Sequence, residues 1–356
     1  MPSYSAQDEL LSVNPVPINI DSAVVNPVAR IYLNLPVPHM SQLFDYEIPE
    51  QFAHLQAGCR VKVQLGSRKI EGFVVERTDT AATAGKLRPI SAVVSNIPVL
   101  QPQIRVLLEQ LSKEYIAPIA DFFPLAVPQR HARAEKDFSA LPEPARINTQ
   151  IVSSFSAPQE YENIDSLTPI NLDTAENIKL VHPLPGHDVE IFVIRIQQIL
   201  ERDESVLLLA PTPREAARIA NKLRKIFPLL SIAQWTSENN HATRYSQFLS
   251  ALAGHTKIIV GTRSAIWAPL KQLRLIIQFD DSHSAYHERR NPYINARDVL
   301  AARAKIEHAQ FCVVSFGPSI ASVGLLKDIS RNMIPAAIAD AIPAKQKLSN
   351  LLCSRN

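Results

Sequence analysis

The sequence predicts an α/β protein, with a small β-rich N-terminal domain followed by a lobe whose parallel sheet is flanked by helices. Three observations predict it. Between residues 27 and 98 the apolar residues fall in short runs of period two, punctuated by Gly58, Gly66 and Gly72, as strands joined by tight turns require. From Ile178 onward, apolar β-rich runs alternate with stretches of helical spacing, as parallel strands with helical crossovers require. Between about 124 and 178 Pro recurs among Ser, Asn, Glu and Thr with little periodicity, which separates the two patterns.

Residues 1–26 read as a flexible arm, polar and broken by Asn14-Pro15 and Asn26-Pro27. The runs ARIYLNL (29–35), RVKVQL (60–65), EGFVVE (71–76) and ISAVV (90–94) read as strands. In RVKVQL, Val61, Val63 and Leu65 take one face, and Arg60, Lys62 and Gln64 the other. Ile104, Leu107, Leu108, Leu111 and Tyr115 recur at helical spacing, so 104–116 is a helix packed on that β domain. The first domain thus covers 27–128, and 129–178 reads as a Pro-rich linker or the remnant of a domain. In the lobe, 179–340, strands are expected at 206–210, 231–235, 257–260, 273–280 and 311–315, with helices at 213–227, 241–253 and 295–308. Residues 341–356 form a polar tail.

Composition narrows the classes of function. The chain has 356 residues, 46% of them hydrophobic and 20% charged, enough for two or three ordinary globular domains. No apolar run reaches the length of a membrane span, and the N-terminus lacks the basic-then-apolar order of a signal peptide. A cytoplasmic protein without a membrane partner is the expectation. Cys59, Cys312 and Cys353 are far apart and form no C-x-x-C pair, so neither a zinc site nor a disulfide framework is expected. The net charge of +3 permits nucleic-acid binding without arguing for it. Only 9 Gly occur, where average usage would give roughly 25. Few places remain where backbone can wrap a phosphate.

Four groups of residues carry the candidate chemistry. Asp280 and Asp281, followed by His283, end an apolar strand, where an open parallel sheet binds ligands. They either hold Mg²⁺ and orient water or merely end the strand. A phosphate loop needs G-x-x-x-x-G-K-[ST], and its one available place, HPLPGHDVEIF (182–192), has a single glycine, Gly186. Asp188 stands at the Lys position and Val189 at the hydroxyl position. A carboxylate there repels a triphosphate. Arg214, Arg218, Lys222 and Lys225 share one helix face, suited either to solvent or to a phosphodiester backbone. Thr262 and Arg263, within Gly-Thr-Arg-Ser after a strand, suit a phosphate as well. Phe44-Asp45-Tyr46 places a carboxylate between two aromatics. These are either core aromatics with a turn Asp or two stacking faces for bases with an acceptor between them.

In order, these segments resemble the primosomal protein N′ (PriA) family of replication-restart helicases. LPVPHMSQLFDYEIP (35–49), AGCRVKVQLG (57–66), EGFVVE (71–76) and IAPIADFFPLAVP (116–128) resemble its small domain for the 3′ end of the nascent leading strand. IIVGTRSAIWAPLKQLRLIIQFDDSHSAY (258–286), NPYINARDVLAARAK (291–305) and SFGPS (315–319) resemble its first RecA-like helicase lobe. The resemblance implies a 3′-end pocket of Phe44, Asp45, Tyr46, Gly66 and Arg88, with Arg88 where the family usually has Lys. With the helix stripe and the Gly-Thr-Arg-Ser turn, DNA-backbone contacts are expected from Arg214, Arg218, Lys222, Thr262 and Arg263. The resemblance also makes 129–178 the counterpart of a winged-helix domain.

The helicase motifs depart from the family. Its acidic motif, usually Asp-Glu-Glu-His, reads Asp280-Asp281-Ser282-His283, and its Ser-Ala-Thr reads Ser315-Phe316-Gly317. The second lobe and its zinc module have no counterpart in these residues. The expectation is therefore a DNA-binding replication-restart protein that recognises the nascent 3′ end at stalled forks without helicase activity. Asp280, Asp281 and His283 would be vestigial, no cofactor or zinc is expected, and the partners would be forked DNA, primosome proteins and helicase loaders. The alternative is a residual ATP- and Mg²⁺-dependent 3′–5′ helicase completed by a partner's lobe.

Overall fold

The structure, a computed structural model, describes residues 25–82, 85–139, 178–181, 188–236, 238–325 and 333–334, with single residues 144, 149, 151 and 183. Nearly all of the expected arm, the expected tail, Gly186 and Cys353 lie outside the described residues. The chain divides into two compact units, Met1–Val127 and Pro128–Asn356.

The first unit is built on a five-stranded sheet. Its strands are β1 (Val28–Leu33), β2 (Leu43–Glu47), β3 (Arg60–Leu65), β4 (Arg68–Thr78) and β5 (Ala92–Ser95), in the order β2-β1-β4-β3-β5 with every pair antiparallel. The period-two pattern works as expected. Ala29, Ile31, Leu33, Val61, Val63 and Val74 are buried in one apolar cluster, and such burial is the main favourable contribution to folding. Helix α1 (Pro102–Glu114) buries Ile104, Leu107, Leu108 and Leu111, the stripe expected from their spacing. The short helix α2 (Phe123–Ala126) brings Phe123 to 4.8 Å from the Phe73 ring. A strand at Leu43–Glu47 is not foreseen by the sequence reading. The flanking prolines hid a five-residue run whose backbone is satisfied by pairing with β1.

The second unit carries a seven-stranded sheet of β6 (Ile178–Val181), β7 (Ser205–Leu209), β8 (Ile232–Trp235), β9 (Ile258–Gly261), β10 (Leu273–Phe279), β11 (Gln310–Val314) and β12 (Met333–Ile334). The order is β12-β6-β11-β10-β7-β9-β8 and all pairs are parallel. The predicted fold class is borne out. Both faces are covered, which is why the strands read as continuous apolar runs. Residues of α4 (Val193–Glu201) and α5 (Pro213–Ile226) form one core with the sheet through Ile196, Ile199, Ile219 and Leu223. Helix α5 starts at an N-cap in which Thr212 Oγ1 accepts from the Glu215 N–H at 3.3 Å.

Within 129–178, read as a linker or the remnant of a domain, Ala132–Ser139 forms helix α3. It lies against α6 (His241–Ala253), where the Tyr245 hydroxyl donates to the buried Glu135 carboxylate at 2.6 Å. A buried carboxylate needs such a partner, and that pairing is invisible in a charged, Ala-rich run. Two further helices, α7 (Ala296–Glu307) and α8 (Ile320–Gly324), lie on either side of β11 in sequence.

Candidate nucleic-acid interface

In the first unit, β2, the β3–β4 turn and the segment before β5 surround a hollow of 460 Å³. Phe44, Asp45, Tyr46, Gly66 and Arg88 all line it, so the structure gathers the five expected pocket residues. Lys86 lines it too and was missed, because a single Lys in a Gly- and Pro-flanked loop gives no signal of where it points. Gly66 turns the β3–β4 hairpin at φ +60°, and nothing lies within 4 Å of the place a Cβ would take. Conformation, rather than crowding, favours glycine there. Arg88 Nη1 donates to the Gly66 carbonyl at 3.1 Å, which joins two sides of the hollow.

The three residues of the triplet are held differently. Successive strand residues point to opposite faces, so Asp45 points away from the face shared by Phe44 and Tyr46. Tyr46 is 4% exposed within the core cluster, and its hydroxyl donates to the Gln64 carbonyl at 3.2 Å. Burial raises its pKa, with Arg88 pulling slightly the other way. Phe44 is only partly buried and keeps some ring surface for a base. Asp45 Oδ2 accepts from the Ala82 N–H at 2.6 Å, and Oδ1 lies 3.7 Å from Arg30 Nε, with the side chain 4% exposed.

In the second unit Arg214, Thr262, Asp280 and Asp281 follow the carboxyl ends of β7, β9 and β10, where a parallel sheet places its ligands. The commitments of the candidate residues differ from those expected. Asp188 accepts from Arg218 at 2.5 and 3.2 Å and from Lys222 at 3.2 Å, while Glu190 lies 3.0 Å from Lys222. Burial pushes the Asp188 carboxyl up. The hydrogen bonds and charges of Arg218 and Lys222 outweigh it, so the pKa falls below the ordinary value. Two of the three helix cations assigned to DNA therefore close on the degenerate phosphate loop. Arg214 remains exposed on the same helix. Val189 is fully buried in the apolar core and supplies no hydroxyl.

Arg263 is likewise structural, donating to the carbonyls of Ala285 and His287 and to Glu288 at 2.9 Å. Thr262 is half-buried beside it, its N–H held by the Trp235 carbonyl at 3.0 Å. The adjacent acids divide. Asp280 is exposed, in a left-handed turn at φ +50°, and accepts from Ser282. That turn sends Asp281 inward, where at 2% exposure it accepts from the N–H and hydroxyl of Ser319 and from the hydroxyl of Ser322. Asp281 thus fastens the start of α8 to the end of β10. His283 accepts from the Ala285 N–H at 3.1 Å and caps a short turn. Tyr286, also missed, is fully buried and donates to the carbonyls of Leu209 and Phe279. Among the described residues no three His, Cys, Asp or Glu side chains gather as a metal site. These commitments do not fit a triphosphate with Mg²⁺: the loop position faces it with a carboxylate, and Asp281 is saturated by hydroxyls.

Residues 30–128 match the family described as the 3′DNA-binding domain (3′BD) of PriA. Probable replication restart protein PriA of Mycobacterium tuberculosis is 30% identical over 285 residues, covering 80% of this chain and 43% of its own length. The chain belongs to the PriA family. Replication restart protein PriA of Rickettsia felis is 26% identical over 278 residues, 78% of this chain and 41% of its own. That of Helicobacter pylori is 34% identical over 140 residues, 39% of this chain and 22% of its own. The chain spans less than half the length of these PriA relatives. A DEAD box protein from Methanococcus jannaschii aligns with 58% of this chain and 63% of its own at TM-score 0.34 and 14% identity, too loosely for argument. All five expected pocket residues fall inside the PriA 3′DNA-binding match. The 285 aligned residues exceed it, so likeness to PriA continues into the second unit.

Proposed function

We propose that this chain is a DNA-binding protein of replication restart that takes the nascent 3′ end of a stalled fork into the hollow of its first unit. One observation carries the reading: the family-matched domain contains a 460 Å³ hollow whose rim bears Phe44, Gly66, Lys86 and Arg88. Phe44 offers a partial stacking face, worth about 1–3 kcal/mol per base. Lys86 and Arg88 offer cations to the last phosphates. The second unit holds the template arms, with exposed Arg214 and half-buried Thr262 as backbone contacts, and runs no nucleotide cycle. The salt bridges at Asp188 and the hydroxyl clasp on Asp281 support that part. Forked DNA is the ligand, and primosome and helicase-loading proteins are the partners that follow.

The alternative, a residual ATPase completed by a partner's lobe, has exposed Asp280 in its favour. Fluorescence anisotropy at one fixed salt concentration tests the first reading, using a fork with a free 3′-hydroxyl and the same fork without that end. Preference for the free end by at least about tenfold, or about 1.4 kcal/mol, is expected. Equal affinity removes the 3′-end reading. DNA-stimulated ATP hydrolysis abolished by Asp280→Ala establishes the alternative.

A further inference from the structure

We infer that Asp188 is an intramolecular stand-in for a DNA phosphate, a lock that holds Arg218 off the DNA and keeps the second unit's grip on fork arms weak. The inference deepens the proposed reading of the second unit as a DNA holder and rests on it. It starts from the geometry of one ion pair. Both oxygens of Asp188 accept from a single guanidinium, Oδ1 from Arg218 Nη1 at 3.2 Å and Oδ2 from Arg218 Nη2 at 2.5 Å. Lys222 Nζ donates to the same Oδ1 at 3.2 Å. A phosphodiester offers a guanidinium the same recognition pattern, two acceptor oxygens sharing one negative charge. The carboxylate and a DNA phosphate are therefore alternative partners for the same edge of Arg218, and that edge cannot serve both at once.

The fold fixes both ends of the contact. Asp188 precedes Val189, which is fully buried in the apolar core, so the acid is pinned on that side. Arg218 and Lys222 leave the outer face of α5, whose inner face buries Ala216, Ile219, Ala220 and Leu223. A partner already held in place has an entropic advantage over one that must be captured from solution. The contact is nonetheless open to water, with the Arg218 side chain 45% exposed and that of Asp188 19% exposed. A phosphate can reach the guanidinium once the carboxylate charge is gone. Lys222 is less free to change partner. Glu190 also holds it at 3.0 Å, and Glu190 accepts in turn from the Val189 N–H at 3.2 Å. Arg218 is thus the cation that the lock withholds. Sequence-independent affinity for DNA scales with the number of phosphates neutralised. Withholding one cation lowers that term and leaves a larger share of the affinity to the end-reading hollow of the first unit.

A double-mutant cycle in the full chain tests the lock: wild type, Asp188→Asn, Arg218→Gln and the double variant. Asn keeps the shape of Asp188 without its charge. Anisotropy would follow the fork with a free 3′-hydroxyl and the fork lacking that end, from about 50 to about 200 mM salt, at a temperature where melts show every variant folded. Asp188→Asn should bind both forks at least about threefold more tightly, with a log–log salt slope steeper by about 0.9, the signature of one added phosphate contact. Arg218→Gln should stay within about twofold of wild type, because its cation is already neutralised, and should remove the gain in the double variant. Three results would each overturn the inference. One is a gain under about threefold in Asp188→Asn. Another is a loss beyond about twofold in Arg218→Gln alone, which would put Arg218 on the DNA already. The third is a gain that survives in the double variant, which would make it a general charge effect. Arg218→Gln leaves Asp188 in place, so the second result is open to measurement even if Asp188→Asn fails to fold. Wild-type protein indifferent to the 3′ end would defeat the 3′-end reading alone, and the cycle would still decide the lock. Absence of binding by all four proteins would overturn the lock together with the DNA-binding reading.

Discussion

Replacing Asp188 by Asn removes one negative charge from between two cations and leaves the shape nearly unchanged. At 4 Å a unit pair is worth about 4 kcal/mol at an effective dielectric of 20 and about 1 in bulk water. The Arg218 side chain is 45% exposed, so its share falls toward the surface value of about 0.2–1 kcal/mol. Lys222 is 27% exposed and divides its charge between Asp188 and Glu190. After desolvation is subtracted, the net contribution is about 1–2 kcal/mol at neutral pH. For a unit of this size each kcal/mol moves Tm by about 2–4 °C, so Asp188→Asn should melt about 2–8 °C lower. The pH dependence has a fixed sign. The folded pKa lies below the ordinary 3.8, so the stabilisation is present above that value and is lost as pH falls through the folded pKa. Calorimetric melts at about pH 7 and about pH 2.5 should show a gap between wild type and variant that shrinks at the lower pH. No gap at neutral pH, or one that persists undiminished in acid, would refute the ion cluster as a replacement for the phosphate loop.

Arg303 is 1% exposed and donates to the Ile266 and Ala268 carbonyls at 2.6 and 2.7 Å and to Glu307 at 2.5 Å. Arg303→Met should cost about 3–5 kcal/mol in urea unfolding, because a buried carboxylate and two carbonyls lose their donor; a loss under about 1 kcal/mol would contradict this. In Gly261→Ala the new Cβ would lie 2.4 Å from the Trp235 carbonyl and 2.5 Å from Ala265 Cβ. Urea unfolding should report a destabilisation of about 1–3 kcal/mol or more from forced separation of β8 and β9. Burial holds the Cys312 thiol up at about 12 and raises that of Cys59. Peptide-resolved alkylation at about pH 8 should spare both in the native protein and label both after unfolding.

The sequence by itself determined the fold class and most of the elements, because strand and helix periods are local properties. RVKVQL and the stripe from Ile104 to Leu111 form the faces their spacing demands, and the apolar runs of the lobe become strands of a parallel sheet. Through its likeness to a known family it also pointed to Phe44, Gly66 and Arg88, which line the first unit's hollow, but not to Lys86. Where each side chain's hydrogen bonds go was decided only by the tertiary structure. Asp45 and Tyr46 are neighbours in sequence, yet the pleat sends one to Ala82 and Arg30 and the other into the core. Asp188 looked like a repulsive loop residue, and Arg218 and Lys222 looked like a DNA-facing stripe. Folding places them within ion-pair distance across 30 and 34 residues of chain. Asp281 meets Ser319 and Ser322 from 38 and 41 residues away. A charge in a sequence has no assigned partner, because Coulomb and hydrogen-bond energies depend on distance in space, and the fold alone sets that distance.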